Sequence, residues 1–317
     1  MTDVLVAGET IIDFLPTETG ELAYVEEFSR CAGGAPANVA VALSHLEETP
    51  LFWTRLGSGP FGDFLAETLE SVGLPMDFVE RDEGAKTGLA FVNLGEDAER
   101  EFTFYHGNSA ETRFQPGTVA DETLESISWV HFDGLSLDAE PSRDAIFDLV
   151  RRASESGSTV SFDPNARPER WTDFDYTDSM YQAFEYADVV KATPEDMAEM
   201  GVEGDADELA AHILEHGPHT ALITLGSEGS FASTTDLAPW TDSGTSVRHG
   251  GYEVDQVDTT GAGDAFTAGC IAALVEGQRL EEALSFANAV AATATTAHGA
   301  MEALPDRDAV AALQRDQ

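Results

Sequence analysis

The feature that most limits the possible folds is a strand, helix, strand succession in the middle of the chain. Residues 129–132 and 160–162 are short apolar runs, and residues 141–156 between them have helical spacing. Two strands joined by a helix of this length pair in parallel and need helices on the faces of the sheet. The sequence therefore predicts an α/β fold with a mostly parallel sheet flanked by helices. Further strands are predicted at 4–7, 51–56, 187–190 and 221–225.

A second region follows a different pattern. From residue 87 to 105 apolar and polar side chains alternate around a turn at 95–97, which predicts a β-hairpin. Together with residues 14–28, this hairpin predicts a small sheet outside the main alternation. Phe102 and Phe104 are expected in the core of the small sheet, with a position facing a ligand as the alternative.

Length and charge restrict the domain organisation and the partners. The 317 residues are free of internal repeats and low-complexity linkers, so one domain over 1–317 is expected. Acidic residues outnumber basic ones by 59 to 16, which gives a net charge of −43. A charge of this size repels nucleic acids and anionic membranes, so neither is an expected partner. Because the acids are spread over the whole length, we interpret them as a halophilic surface screened by salt.

The compartment is predicted from absences in the sequence. Cys31 and Cys270 are too few for a disulfide framework and suit reduced thiols. The sequence has no signal-type N-terminal run and no apolar segment of membrane-spanning length. A cytoplasmic protein is the expectation.

The chemistry is concentrated in residues 258–266, which read Asp-Thr-Thr-Gly-Ala-Gly-Asp-Ala-Phe. They lie between an extended run, 252–257, and a predicted helix, 265–276. Small residues at a helix start leave backbone amides unshielded at the positive end of the helix dipole, which favours an anion. An acid beside that anion, Asp264, is suited to removing a proton from an attacking hydroxyl. The alternative is that Asp264 caps the helix.

These nine residues resemble the C-terminal motif of the ribokinase-like (pfkB) family of carbohydrate kinases. The resemblance implies that Asp264 is the general base and that Gly261, Ala262 and Gly263 form the anion hole. It also implies a Rossmann-type core, and that the small sheet, at about 14–32 and 87–108, is a lid over the sugar.

A second resemblance to this family lies near the N-terminus, in a turn between a predicted strand and a predicted helix. The turn at 33–38 reads Gly-Gly-Ala-Pro-Ala-Asn and resembles the family's sugar-binding turn in the version associated with fructokinases. It implies that Gly33, Gly34 and Asn38 contact the sugar. Asp13 ends a predicted strand, where an acid is well placed to accept hydrogen bonds from hydroxyl groups.

Two further sugar contacts come from local patterns. The Asp-Pro-Asn-Ala-Arg run ending at Arg167 is similar to a pattern of fructokinases and 2-keto-3-deoxygluconate kinases, which implies an active-site arginine. Tyr105 is a predicted contact in a position where related kinases often carry Tyr-Arg. His106 follows it here, and because a mostly neutral histidine is a poorer partner than a guanidinium, binding of a substrate carboxylate is not expected.

The resemblance also implies a nucleotide and metal side. The implied nucleotide contacts are Lys191, Thr193, Thr224, Gly226, Gly229, Gly263 and, on an alanine-rich helix predicted at 280–298, Asn288. Asp196 stands where the family usually has a glutamate for Mg²⁺. The residues that resemble the monovalent-cation site of potassium-activated members are Asp258, Thr260, Ala294, Ala297 and Gly299.

The sequence thus predicts an ATP-dependent and Mg²⁺-dependent sugar kinase, with fructose as the first choice of acceptor. 2-Keto-3-deoxygluconate kinase and ribokinase or nucleoside kinase are the alternatives within the class, and a non-catalytic sugar-binding protein is one outside it. The glycines of residues 57–62 match a dinucleotide fingerprint, but a lone match away from the first strand is weak support for an oxidoreductase. Activation by K⁺ and pairing of two lids in a homodimer are left open.

Overall fold

A computed structural model describes residues 3–18, 20–94 and 100–317, and the side chains of 94, 100 and 101 lie outside this description. The strands are β1 Val4–Ala7, β2 Ile11–Pro16, β3 Phe28–Gly33, β4 Leu51–Gly57, β5 Val79–Asp82, β6 Leu89–Leu94, β7 Arg100–Tyr105, β8 Trp129–Asp133, β9 Thr159–Asp163, β10 Val189–Ala192, β11 Thr220–Thr224, β12 Ser230–Thr234 and β13 Ser246–His249. The helices are α1 Ala35–His45, α2 Pro60–Ser71, α3 Asp121–Leu124, α4 Ser142–Ser156, α5 Tyr176–Phe184, α6 Pro194–Glu199, α7 Ala206–Glu215, α8 Ala262–Val275, α9 Leu280–Ala294 and α10 Arg307–Asp316.

The main sheet of the described residues has the order β13-β12-β11-β10-β9-β8-β1-β4-β5. From β5 to β11 neighbouring strands are parallel, and β12 and β13 add an antiparallel edge. The predicted α/β fold with a mostly parallel sheet is therefore confirmed. Because parallel strands end at one edge of the sheet, the loops that follow β1, β8, β9 and β10 lie side by side there.

Helices cover both faces of the main sheet, as the alternation along β1 shows. Val4 and Val6 pack in one core with α1, α8 and α9, whereas Leu5 and Ala7 pack in the other with α4, α5 and α7. Successive side chains of a strand point to opposite faces, so an all-apolar strand requires a helix layer on each side. In the described ranges, no helix has both the length and the apolar character needed to cross a bilayer.

The second sheet is also present, with the order β3-β2-β6-β7. Its hairpin pairs β6 with β7, and β2 joins β6 in parallel. The turn predicted at 95–97 lies outside the described residues. On one face, Phe14 stacks on Phe91 at a centroid distance of 4.8 Å, and Phe28 packs edge-on against both rings. These rings are the aromatic core of this sheet.

Two helix ends differ from the sequence prediction by three residues or more. Helix α8 begins at Ala262 rather than 265, because Gly261 has the left-handed φ of 75° that precedes the helix. Helix α9 ends at Ala294 rather than 298, since the carbonyl of Thr295 accepts hydrogen bonds from the amides of Val257 and Asp258. The run 252–257 contains no strand.

Candidate active site

The Gly-rich turn enters a helix whose first amides have no side-chain cap within the described residues. The amide of Ala262 closes the turn on the Thr259 carbonyl, and that of Ala265 binds the Gly261 carbonyl. Because a helix leaves its first amides without partners inside the helix, those of Gly263 and Asp264 are the ones that this turn offers to an anion. Asp264 is not a cap, because its side chain has another partner.

That partner is Asn38, which lies 226 residues earlier in the chain. Its Nδ2 donates a hydrogen bond of 2.7 Å to Oδ2 of Asp264. Asn38 lies in the first turns of α1, directly after the paired glycines that end β3. The early glycine turn and the late one, far apart in the sequence, therefore face the same cleft.

The paired glycines leave no space for side chains. A Cβ on Gly33 would lie 2.0 Å from Oδ2 of Asp13, and one on Gly34, whose φ is 108°, would lie 2.5 Å from the Glu9 carbonyl. Asp13 is thus in contact with the turn that precedes Asn38. Glu9, Asp13, Asn38 and Asp264 line one cavity of about 430 Å³.

A buried ion pair lies beside the Gly-rich turn in this cavity. Nζ of Lys191 is 2.9 Å from Oδ2 of Asp163, and both side chains are less than a tenth exposed. A Cβ on Gly263 would lie only 3.1 Å from that Nζ. Burial alone would lower the pKa of Lys191, but the carboxylates of Asp163 and Asp196 outweigh it and raise the pKa. The ammonium therefore stays charged directly against the anion-binding turn.

Two carboxyls in the cavity have pKa values near neutrality. Burial raises the pKa of Asp264 to about 7, against the opposing effect of the hydrogen bond from Asn38. Burial also raises the pKa of Asp13 to about 7, with further increases from the charges of Glu9 and Asp264. A carboxyl with a pKa close to the working pH is suited to accept a proton in a reaction.

Arg167 supplies positive charge to the other side of the cavity. Its guanidinium carbon lies 5.3 Å from the ring centroid of Phe102 in β7, and its charge lowers the pKa values of both Asp13 and Asp264. The contact with Phe102 is within the range of a cation–π interaction. The arginine after β9 and the second sheet thus meet over the cavity.

A second cavity of about 530 Å³ adjoins the first, and Thr193, Glu195, Thr259 and Gly263 line both. Its other walls include four of the sequence-predicted residues, Thr224, Gly226, Gly229 and Asn288. Asn288 is buried, and its Nδ2 donates 2.7 Å hydrogen bonds to Ser230 Oγ and the Leu284 carbonyl. The two cavities meet at the Gly-rich turn, as a site for group transfer between two ligands requires.

Comparison with known proteins agrees with this geometry. Residues 1–307 match the model of the pfkB family carbohydrate kinases. The chain belongs to the pfkB family. It is therefore an ATP-dependent sugar kinase. Among curated relatives, probable fructokinase-6 of Arabidopsis thaliana is 35% identical over 97% of this chain and 81% of its own length, and fructokinase-2 of Solanum habrochaites is 36% identical over 94% and 92%.

Solved structures of other sugar kinases superpose closely on this pfkB chain. A fructokinase from Xylella fastidiosa with bound ATP gives a TM-score of 0.87 at 30% identity and covers 100% of this chain and 99% of its own. A fructokinase double mutant from Vibrio cholerae O395, with fructose, ADP and potassium ion bound, gives 0.84 at 30% identity and covers 98% of each chain. The ribokinase-like fold is thus confirmed.

Tyr105 does not reach the site of this pfkB kinase. Its side chain is 62% exposed and packs edge-on against Phe91, on the face of the small sheet that carries the aromatic core. Side chains alternate along β7, so with Phe102 and Phe104 facing the cavity, Tyr105 must point away. The expectation that Phe102 and Phe104 form the lid core is wrong for the same reason.

The predicted metal ligands are already engaged in the protein. Asp196 accepts 2.8 Å hydrogen bonds from the amides of Ala166 and Thr193, the latter in a capping box at the start of α6.

Asp258 accepts hydrogen bonds from the amide and hydroxyl of Thr260 and from the Gly299 amide, so two of the loops predicted for K⁺ lie together. Ala294 ends α9, and Ala297 follows in the exposed turn. Across the described ranges, no group of three or more His, Cys, Asp or Glu residues has metal-binding geometry.

Several side chains of the site were missed in the sequence. Glu9 lines the cavity of about 430 Å³ as well as accepting a hydrogen bond from the Ala35 amide, and Asp163 holds Lys191. Arg170, 2% exposed, pairs with Asp138 at 2.6 Å and lies 5.1 Å from the Phe104 ring centroid. The burial of Arg170 cannot be read from the sequence, so its position three residues after Arg167 was the only signal.

Proposed function

We propose that this pfkB kinase is a fructokinase that transfers the γ-phosphoryl group of ATP to a hydroxyl of fructose. The observation that carries the proposal is the 2.7 Å contact between Asn38 and Asp264, which puts the sugar-turn motif and the phosphoryl-turn motif in one cleft. Fructose is favoured by the relatives named fructokinase and by the fructose-bound Vibrio cholerae protein.

In this mechanism Asp264 is the general base. Its ionised carboxylate, held by Asn38, accepts the proton of the attacking sugar hydroxyl while that oxygen forms a bond to the γ-phosphorus. The bond from the γ-phosphorus to the bridging oxygen breaks, and ADP leaves with the electron pair. The turn at 261–263 and the Lys191 ammonium beside it stabilise the negative charge on the transferring oxygens.

The acceptor sugar is bound in the cavity of about 430 Å³. We assign its hydroxyl groups to Asp13, Asn38 and Arg167, with the backbone of Gly33 and Gly34 allowing close approach. Phe102, from the lid, closes the cavity and excludes water, which would otherwise accept the phosphoryl group.

The nucleotide occupies the adjoining cavity. Thr193 and Gly263 line both cavities and Lys191 lies beside Gly263, so these three residues are assigned to the phosphates. Thr224, Gly226 and Gly229 line the wall beyond them, and Asn288 lies on α9 among small side chains that leave space for a flat base.

Mg²⁺ would accompany the nucleotide. Three acidic side chains of α6 line the sugar cavity and suit this ion, because they would hold its water molecules: Glu195, Asp196 and Glu199. Such kinase ions rely on few carboxylates, waters and the substrate phosphates, so an all-protein cage is not required. When bound, Mg²⁺ neutralises charge on the phosphates. The loops at Asp258, Thr260, Ala294, Ala297 and Gly299 are the assigned K⁺ site.

Localisation and assembly are also proposals. We infer a cytoplasmic protein from the reduced thiols expected for Cys31 and Cys270, which are not in a disulfide. A lid-to-lid homodimer is supported by two exposed aromatic side chains of the lid, Tyr24 in the turn between β2 and β3 and Tyr105 at the end of β7, which are 78% and 62% exposed. Sedimentation of wild type and Tyr105→Glu tests it, since a charge there would dissociate such a dimer.

The decisive test of function is Asp264→Asn. Loss of the base should lower kcat by at least about 10²-fold, while fructose binding by calorimetry and the unfolding midpoint stay close to wild type. ADP release should be measured in molar KCl with fructose, ribose, glucose, a nucleoside and 2-keto-3-deoxygluconate. If the Asp264→Asn enzyme kept its activity, Asp264 would not be the general base. If the enzyme preferred 2-keto-3-deoxygluconate, that keto acid and not fructose would be the acceptor.

A further inference from the structure

The two connections between the β6–β7 hairpin of the lid and the core converge on one buried carboxyl. Glu111, 3% exposed, lies just after β7. Its Oε2 accepts a 3.2 Å hydrogen bond from the amide of Gly88, which leads into β6, and its Oε1 is hydrogen-bonded to the hydroxyl of Ser109, which follows β7. The amide of Ala110 donates to the Lys86 carbonyl at 2.8 Å, which brings the two connections together.

Gly88, which Glu111 holds, is also linked to β2, the strand that carries Asp13. The amide of Ile12 donates to the Gly88 carbonyl at 3.1 Å, so β2, which carries Asp13, begins where Glu111 holds Gly88. A Cβ on Gly88 would lie 2.0 Å from Oε1 of Glu111. The close contact between carboxyl and backbone therefore depends on glycine at 88.

A count of hydrogens shows that both contacts of the Ser109 hydroxyl can be hydrogen bonds at the same time only when Glu111 is protonated. The Ser109 hydroxyl lies within hydrogen-bonding distance of two oxygens, the His106 carbonyl at 2.5 Å and Oε1 of Glu111, but it has one hydrogen. A carbonyl cannot donate. If the hydroxyl donates to His106, the contact with Glu111 is a hydrogen bond only when Glu111 carries a proton and donates it.

The charged groups around Glu111 are few. Arg170 faces it from the turn after β9, but that guanidinium is paired with Asp138 and is also attracted by Glu9. On the lid, His106 lies 4.0 Å from Asp138, and burial lowers its pKa. Burial raises the pKa of Glu111 to about 7, against the opposing effects of Ser109 and Arg170. Near neutral pH the protonated form is thus well populated.

We propose that Glu111 is a positioning residue for phosphoryl transfer, because its protonated carboxyl fastens the two connections of the β6–β7 hairpin and so keeps Asp13 and Phe102 over the sugar. The proposal rests on the proposed function, since it requires the lid to close over an acceptor sugar.

The expected pH effect has a defined sign. If closing the lid shifts the pKa of Glu111 from its ordinary 4.5 to about 7, closure takes up a proton and weakens as the pH rises towards 7. Between pH 6 and pH 8.5 closure becomes about tenfold less favourable, which raises the KM for the sugar by up to about tenfold and leaves the KM for ATP unchanged.

The test is Glu111→Gln, which keeps the shape and is neutral at every pH. The Gln amide can donate to Ser109 and accept from Gly88, as the protonated acid does. We expect the ratio of wild-type to variant KM for fructose to rise about tenfold between pH 6 and pH 8.5. Asp13 and Asp264 titrate in both enzymes and cancel in this ratio. Glu155→Gln, an exposed acid on α4 away from the lid, is the matched control.

A second measurement does not depend on the sugar. Hydrogen exchange of peptides covering 86–90 and 105–112, corrected for the intrinsic rate, should lose protection between pH 6 and pH 8.5 in wild type but not in Glu111→Gln. Constant protection in wild type, or a KM ratio that does not change with pH, overturns the proposal. If no sugar is phosphorylated but exchange follows this pattern, the fructokinase assignment fails while the role of Glu111 in the lid stands.

Discussion

The phosphoryl end and the lid end of the cleft each contain a carboxyl with a pKa of about 7, Asp264 and Asp13, but they hold it differently. Asp264 starts a helix in the core and already accepts a hydrogen bond from Asn38, with Lys191 nearby. Asp13 lies on a strand of the lid sheet. Within the described residues it receives no hydrogen bond, and its strongest charged neighbours, Glu9 and Asp264, are also acids.

This difference indicates distinct tasks for two groups of similar acidity. The hydrogen bond from Asn38 offsets part of the burial cost of the ionised form of Asp264 before any substrate arrives, as a base that must react repeatedly requires. Apart from the charge of Arg167, we expect the ionised form of Asp13 to gain its partners from the hydroxyl groups of a bound sugar. Changes at the phosphoryl end should therefore alter kcat, whereas changes at the lid end should alter the KM for the sugar.

The largest effect after the loss of the base is expected for Lys191→Met. Removal of the ammonium beside Gly263 should lower kcat about 10²- to 10³-fold, as for other preorganised charge-stabilising groups. Because the variant leaves Asp163 buried and unpaired, it should also lose about 3–5 kcal/mol of unfolding free energy. The control Lys191→Met/Asp163→Asn should recover stability in denaturant titrations but not kcat. Recovery of both would mean that Lys191 is purely structural.

Asp13→Asn tests the lid end. Loss of a charged acceptor for sugar hydroxyl groups, about 1.5–3 kcal/mol, should raise the KM for fructose about 10- to 100-fold with a much smaller change in kcat. Steady-state kinetics with fructose varied at saturating ATP measures both constants. An equal fall in kcat would assign Asp13 to the chemical step and remove the contrast with Asp264.

The pH profile separates the two carboxyls further. At pH values below its pKa of about 7, Asp264 is protonated and cannot accept the hydroxyl proton. Above that pKa it is ionised, so kcat at saturating fructose should rise with pH and then level off, with about a tenfold loss per pH unit on the acid side. Asp13→Asn should keep this profile for kcat. If that variant flattened the profile, the titrating group would be Asp13 instead.

The smallest effect is expected for Phe102→Leu at the lid. Loss of the ring below Arg167 removes a cation–π contact of about 0.5–1 kcal/mol, which should raise the KM for fructose about two- to fivefold. Tyr105→Leu, on the opposite face of the same strand, is the matched control and should leave the KM unchanged. Similar effects of both changes would mean that the lid acts by its general stability rather than by the face it presents.

Much of the fold was readable from local patterns. The strand and helix periodicities at 129–162 require a parallel sheet with a helix layer on each side, and the Gly-rich turn at 258–264 requires a left-handed residue before a helix. Both are properties of neighbouring residues, so a single stretch of sequence contains the information. The end of α9 was missed because it depends on the 257–258 backbone, which bonds the Thr295 carbonyl.

The sequence by itself determined the α/β class, the anion-binding turn and the acid that follows it, because these depend on spacing and on the conformational freedom of glycine. Only the tertiary structure decided that Asn38 binds Asp264, that Phe102 rather than Tyr105 faces the sugar cavity, and that Glu111 joins the lid connections. Alternation along a strand predicts two faces but not which of them meets the core. Burial, which sets the acidity of Asp13, Glu111 and Asp264, is produced by the whole chain at once.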